Sequence, residues 1–479
     1  MRSNSLLKYG PFWLLTLTII IGLVFSQLIQ EGCFMDGLLY VAVSKNLSLG
    51  HGTFWEPYFS DTFMPKFHEQ PPLYFGLLAS FYKVFGGSIY VERFFCAVCL
   101  ILNALFIHKI WQLLFRDNMA IAKHSWLPII LWITIPVCFW AYTNQVEETV
   151  MSVFTTASVY YCYRSLFNEK HSIMYIFIAG VCIFLASLTK GIQGLFPLVT
   201  FGIYWLCARK ISFSKMLGLT MILCAVPILI YSLLLFDPVI FESIKSYFEV
   251  RLVKTFNHIG ATTDTHFYLL WALFQELLPI LILTAIILIA KKRKNKPNVQ
   301  QPIQPSFILS FIGIGLAGAL PLMVTLEQRN FYLVTSFPFF AIAFSLLIVT
   351  YVNKWIDNIK QHTQKTLFIS SIILCACSLL FTATQIGHYK RDELLLKDIK
   401  TICQSLPVQT KLISMPIDMA NDWNTICYFM RYSQISLTPT DTLPNYFIVK
   451  NSLAAELVPK CYQLSHVSTQ ELSLYIKKQ

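Results

Sequence analysis

The chain is short of charge. Only 13% of its 479 residues are Asp, Glu, Lys or Arg, while 56% are hydrophobic; a soluble protein of this length carries about 25% charge. That deficit excludes an ordinary soluble enzyme. Acids are the scarcer sign, 25 against 37 bases. The net charge of +12 is still no nucleic-acid footprint, because the basic excess sits in short loops between apolar runs, and no nucleic-acid partner is expected. A leader-peptide cleavage site is also missing. The first apolar run, residues 11–29, continues into "QLIQEGCF", with Glu31 where a small residue would stand and no convincing lipoprotein site at Cys33. We read it as a retained membrane span. Internal repeats are absent too, which weighs against a transporter of the paired-repeat kind.

What the chain has is apolar runs of about 20 residues, the length that crosses a bilayer as a helix. They lie near 11–29, 90–115, 125–142, 148–167, 172–189, 192–208, 216–236, 267–290, 306–325, 331–352 and 367–386. The expected class is an all-α polytopic membrane protein of roughly eleven to thirteen spans, with a small C-terminal α/β domain. With the N-terminus cytoplasmic, the inside loops hold Arg116 and Lys123, Arg164 and Lys170, Arg209, Lys210 and Lys215, "KKRKNK" at 291–296, and Lys354, Lys360 and Lys365. The intervening loops near Asn144 and Gln328 have almost no lysine, as the positive-inside rule requires.

We divide the chain into a membrane domain, 1–386, and an extracytoplasmic domain, 387–479. In the latter "KLISM", "QISLTP", "NYFIVK" and "CYQLSHVS" read as strands, and "DWNTICYFMRY" and "TQELSLYIKK" as helices. No motif in it carries chemistry. A disulfide among Cys403, Cys427 and Cys461 is possible in an oxidising compartment, with the pairing open.

The ionisable residues placed against the spans fall on one side, opposite the basic loops. They are Asp36, Glu69, Glu147, Glu148, Lys190, Arg251, Lys254 and Arg329. Ionisable groups at or within a membrane are costly and default to function. Four also have a structural reading: Asp36 as a helix N-cap, Glu147 as a salt-bridge partner of Lys190, and Lys190 or Arg329 as snorkelling span ends. The loop at 30–89, about 60 residues, exceeds an ordinary connection. It holds two helical pieces, "DGLLYVAVSKNLSLG" and "EQPPLYFGLLASFYKVFG", which look amphipathic and are expected along the membrane surface. A second long segment at 237–266 carries Lys245, Arg251, Lys254 and His258. An interfacial carboxylate suits a general base acting on an acceptor hydroxyl or phosphate-linked oxygen. Nearby cations suit a phosphate leaving group, which a lipid phosphate at the surface would supply.

Four stretches together give a resemblance: "FMDGLLYVAVSKNLSLG", "HEQPPLYFGLLASFYKVFGGSIYVERF", "LASLTKGIQGLFPL" and "RNFYLVTSFPFFAIA". Their order and spacing, over about residues 11–345, resemble the membrane-embedded GT-C glycosyltransferases. Within them the likeness is to the bacterial branch of lipid A aminoarabinose transferases and protein O-mannosyltransferase-like enzymes. The resemblance implies inverting transfer of a sugar from a polyprenyl (undecaprenyl) phosphate donor at the periplasmic face of a bacterial inner membrane. The implied acceptor is lipid A or another lipopolysaccharide component; the alternatives are a protein hydroxyl or, in another class, a transporter. Asp36 would be the catalytic base and Glu147 the second acid. Lys190, Arg251, Lys254, Arg329 and Tyr332 would meet the donor phosphate, with Glu69 and Arg93 supporting the acceptor or the loop. The sequence departs from the family's Glu-Lys-Pro-Pro turn at Glu69-Gln70-Pro71-Pro72. His258 stands in the region where the aminoarabinose transferases place a metal-binding His, so a divalent metal is conceivable and none is assigned.

Overall fold

Long apolar runs with few helix breakers satisfy their backbone internally as helices, and the structure, a computed structural model, is built from them. It describes residues 2–249, 267–292, 304–325, 327–439, 443–453 and 457–478. Among the described residues eight helical runs are long and apolar enough to cross a membrane: Leu6–Leu28, Ile89–Leu114, Ser172–Ala208, Phe213–Leu234, Tyr268–Ala290, Pro305–Val324, Phe337–Asp357 and Gln361–Thr384. The chain is a multi-pass membrane protein.

Two expected spans differ in detail, while 172–189 and 192–208 form a pair as expected. Ser172–Ala208 is a hairpin of two. The α-helix Ser172–Lys190 ends at Gly191, whose φ of +66° suits glycine. The 3₁₀ stretch Gly191–Val199 then folds back, so closely that a Cβ on Gly194 would meet the Ala186 carbonyl carbon at 2.3 Å. The expected span 125–142 is two helices, Trp126–Ile133 and Pro136–Ala141, parted where Ile135 is extended before Pro136. The helix Glu148–Phe167 is not among the eight, yet it is largely enclosed, burying both apolar and hydroxyl side chains along its length.

The bundle has two chemically different ends. At one, Lys8 pairs with Asp357 at 2.5 Å, Arg116 donates to the Phe167 carbonyl, Lys123 lies over the Tyr9 ring and Lys210 donates to Gln304. At the other are the first loop, the turn at Asn144–Glu147, the end of Ser172–Lys190, and Arg329–Tyr332. Clustering of the basic loops at one end is the pattern that orients membrane proteins.

Of the two helices expected along the membrane surface in the first loop, the first needs correction. Met35–Ser48 is buried from Gly37 to Ser44 on every face rather than lying on lipid. Its residues are apolar all round, so it packs between other elements. Leu73–Phe85 packs against it with Tyr74, Phe75 and Leu78, leaving Val84 and Phe85 outward.

The C-terminal domain is a five-stranded sheet with two helices. The strands are β1 Leu412–Ser414, β2 Ser436–Thr438, β3 Tyr446–Lys450, β4 Tyr462–Leu464 and β5 Leu472–Lys477, in the order β2-β1-β3-β5-β4. The first three are parallel; β5 runs antiparallel to β3 and β4. Here "TQELSLYIKK", expected as a helix, is strand β5. Leu472 and Leu474 alternate into the core, and Asp398 accepts the backbone N–H groups of Gln470, Glu471 and Leu472. A helix missed in the sequence, Glu393–Ser405, carries that aspartate. All thirteen cysteines are free, so no disulfide joins Cys403, Cys427 and Cys461.

The helix Trp423–Ser433 of this domain lies on Met35–Ser48. Arg431, 2% exposed, reaches under the membrane-domain rim to Glu92, which also accepts from the Tyr82 hydroxyl. Lys400 pairs with Glu31 at 2.6 Å, and Tyr428 accepts from the Cys33 N–H while donating to Asp392. Burial, and then the neighbouring Arg431, lowers the Lys45 ammonium to about 8. Burial likewise lowers Lys390 to about 8, where it donates to the Thr143 carbonyl.

Candidate active site

Asp36 sits in the first turn of Met35–Ser48, whose N-cap position is taken by Phe34, so it is not the N-cap. Its neighbour Gly37 explains the placement. A Cβ there would meet the Asn144 carbonyl oxygen at 1.9 Å, so only glycine lets this helix end press onto the Asn144–Gln145 turn. Phe34 N–H donates to the Asn144 side chain at 3.1 Å, and the Cys33 thiol to Gln145. The helix end, and with it Asp36, is clamped to the spans.

Asp36 opens onto a cavity of about 890 Å³. Of the residues singled out in the sequence, Asp36, Glu69, Arg329 and Tyr332 line it together. Aromatic rings form much of the wall: Phe34 and Trp140 at 5.1 Å, and Trp140 and Phe331 at 5.6 Å between centroids. A site of this volume, mainly apolar with a few convergent polar groups, is what a ligand pocket looks like.

Glu147, Glu148 and Lys190 are buried behind that wall and do not line it. Lys190 is ion-paired to Glu148, lies 4.0 Å from Glu147, and places its ammonium 4.9 Å from the centre of the Tyr332 ring. Glu148 in turn feels the charge of Asp36. The expected Glu147–Lys190 bridge is thus part of a tighter cluster in which Glu148 is the nearer partner. A buried ion pair needs this kind of mutual satisfaction to offset desolvation. The lysine touches the site through Tyr332.

Arg93 lies elsewhere. It donates to the Ile29 carbonyl at 2.9 Å and stacks near Tyr90, away from the cavity lining. Lys245 is on the surface of Pro238–Tyr247, with Glu242 and Glu249 as partners. Arg251, Lys254 and His258 fall outside the described residues. Among the described residues no group of three His, Cys, Asp or Glu side chains is arranged to hold a metal.

The structure adds residues that the sequence reading passed over. Glu276, two turns into the span Tyr268–Lys292, lines the cavity while nearly buried. It accepts from the Val137 N–H at 2.8 Å, a free donor at the start of Pro136–Ala141, and from Asn330 at 3.2 Å. Tyr268 donates to Asn330 at 2.6 Å, extending the chain to the rim. A lone glutamate within "LFQELLPILIL" was the available signal. Trp423, from the C-terminal domain, also lines the cavity; no local pattern marks it.

Comparison with known proteins agrees with this geometry. Residues 69–236 match the family model described as dolichyl-phosphate-mannose-protein mannosyltransferase. No curated protein matches the chain by sequence. The structure is similar to crystal structures of ArnT from Cupriavidus metallidurans. For the form bound to undecaprenyl phosphate the TM-score is 0.67 at 12% identity, covering 97% of each chain. For the apo form it is 0.66 at 11% identity, covering 99% of this chain and 98% of the other. At such identities the likeness establishes the fold.

Proposed function

We propose that this chain, a membrane-embedded glycosyltransferase with the GT-C fold, moves a sugar from undecaprenyl phosphate to a hydroxyl of a glycolipid such as lipid A. The single observation that carries the reading is a shared cavity. Asp36 faces the same space as Arg329 and Tyr332, at the bundle end opposite the basic loops. A base and a cation flanking one cavity suit displacement at a sugar carbon. Asp36 takes the acceptor's hydroxyl proton, and the oxygen forms its bond to the anomeric carbon from the face opposite the phosphate. The bond from that carbon to the phosphate oxygen breaks, and the electron pair leaves on the polyprenyl phosphate. The negative charge gathering there is met by the Arg329 guanidinium. Tyr332, stiffened by Lys190 against its ring, shapes the phosphate side.

The proposed setting is a bacterial inner membrane with the cavity at the periplasmic face. The positive-inside sense of the basic end supports that orientation. A protein hydroxyl is the second reading for the acceptor, favoured by the description of the family model over 69–236.

Mass spectrometry of lipid A from cells with and without the gene tests the reading. A sugar-sized mass difference is expected. Unchanged lipid A alongside a changed protein glycan would transfer the proposal to the second acceptor.

A further inference from the structure

We infer that Trp423 of the C-terminal domain is the platform of an acceptor subsite that takes a saccharide ring; the inference rests on the transfer reaction proposed above. The cavity has two walls of different make. One comes from the spans, with Arg329, Phe331 and Tyr332. The other comes from outside them: Tyr40, Met64, Glu69 and Gln70 of the first loop, and Trp423. The first wall holds the cation, Arg329, and is the one assigned to the lipid-phosphate donor. The second wall is left for the acceptor, and Asp36 lines the same cavity from the helix that carries Tyr40.

The chemistry of that second wall fits a sugar. Trp423 is held by Phe63 at 5.6 Å in an edge contact and by Phe59 at 6.3 Å, and is half-buried, so the remainder of its indole serves the cavity it lines. Beside it stand Glu69 and Gln70, whose amide donates to the Tyr40 hydroxyl at 3.3 Å. A pyranose has an apolar C–H face and a rim of hydroxyls. The negative face of an indole attracts the first, and a carboxylate, an amide and a phenol engage the second. Backbone pairing along a strand edge is one common way to hold an extended peptide. This wall offers side chains from a helix and turns.

The platform is also fixed in advance. Asp422, next to it, pairs with Lys450 at 2.6 Å and accepts from Thr425, while Arg431 locks the far end of the same helix to Glu92. A rigid support is what a specificity residue needs.

The test uses the full chain in lipid nanodiscs, titrated separately with tetra-acylated lipid A, undecaprenyl phosphate and a Ser/Thr-rich peptide. Trp423→Ala is expected to weaken lipid A binding about tenfold and to leave undecaprenyl phosphate binding unchanged. Trp423→Tyr restores most of the loss. Met64→Ala, on the same wall, gives a smaller loss if Trp423→Ala proves unstable. Lipid A binding that is absent in the wild type, or equal in wild type and Trp423→Ala, overturns the subsite. So does a loss confined to the peptide. Failure of the wild type to bind undecaprenyl phosphate would instead overturn the donor reading, so the two failures are distinguishable.

Discussion

Arg431 places both Nε and Nη2 on one carboxylate oxygen of Glu92, at 2.9 and 2.6 Å, across 339 residues of sequence. The pair is nearly buried and joins the C-terminal domain to the first residues of the span Ile89–Leu114. Removing one partner leaves a buried charge, so Arg431→Ala is expected to cost about 3–5 kcal/mol. Limited proteolysis should then cleave near residue 387 faster than in the wild type. Unchanged proteolysis and melting would show that the domain is held by its other contacts.

Asp36→Asn keeps the side chain's size and removes the base. Transfer from a lipid-linked sugar should fall by about 10²–10⁴, with folding intact, as read by melting temperature. Turnover within a few-fold of the wild type would end the base assignment.

Lys190 compensates two buried carboxylates. Lys190→Met alone should destabilise by about 3–5 kcal/mol and also weaken donor binding through Tyr332. Lys190→Met with Glu148→Gln removes one of those charges as well and should recover much of the stability without the donor affinity. Recovery of both together would separate Tyr332 from the donor.

Lys390 and Lys45 give the fold an alkaline window. Both are lowered by burial from the ordinary 10.5 to about 8. Between these values the unfolded chain holds the proton and the folded chain does not, so stability rises as pH climbs from about 8 toward 10. Thermal melts of the wild type should show the rise, and Lys390→Met should flatten part of it. A flat wild-type profile would mean that both amines stay charged in the fold.

The legibility of this chain in its sequence follows the range of the interactions. Spans were readable because their signal is local, Asp36, Glu69 and Arg329 because ionisable groups stand out against apolar runs, and Tyr332 only through the family resemblance. The burial of Met35–Ser48 was not, since it depends on a helix that arrives nearly 400 residues later. The strand Leu472–Lys477 was misread because helix-favouring Glu and Leu outweighed a short alternation, which Asp398 and β3 then enforce. Glu276 was visible as a lone acid, and its partners Val137 and Asn330 were not.

The docking of Trp423–Ser433 on Met35–Ser48 also sets a schedule for synthesis. The ribosome makes Asp36 among the first residues and the tryptophan that lines the same cavity only near the end. Until then Met35–Ser48 has Leu73–Phe85 on one side and is uncovered on the side that Trp423–Ser433 will take. Premature termination before residue 423 would leave the cavity without its C-terminal lining residue.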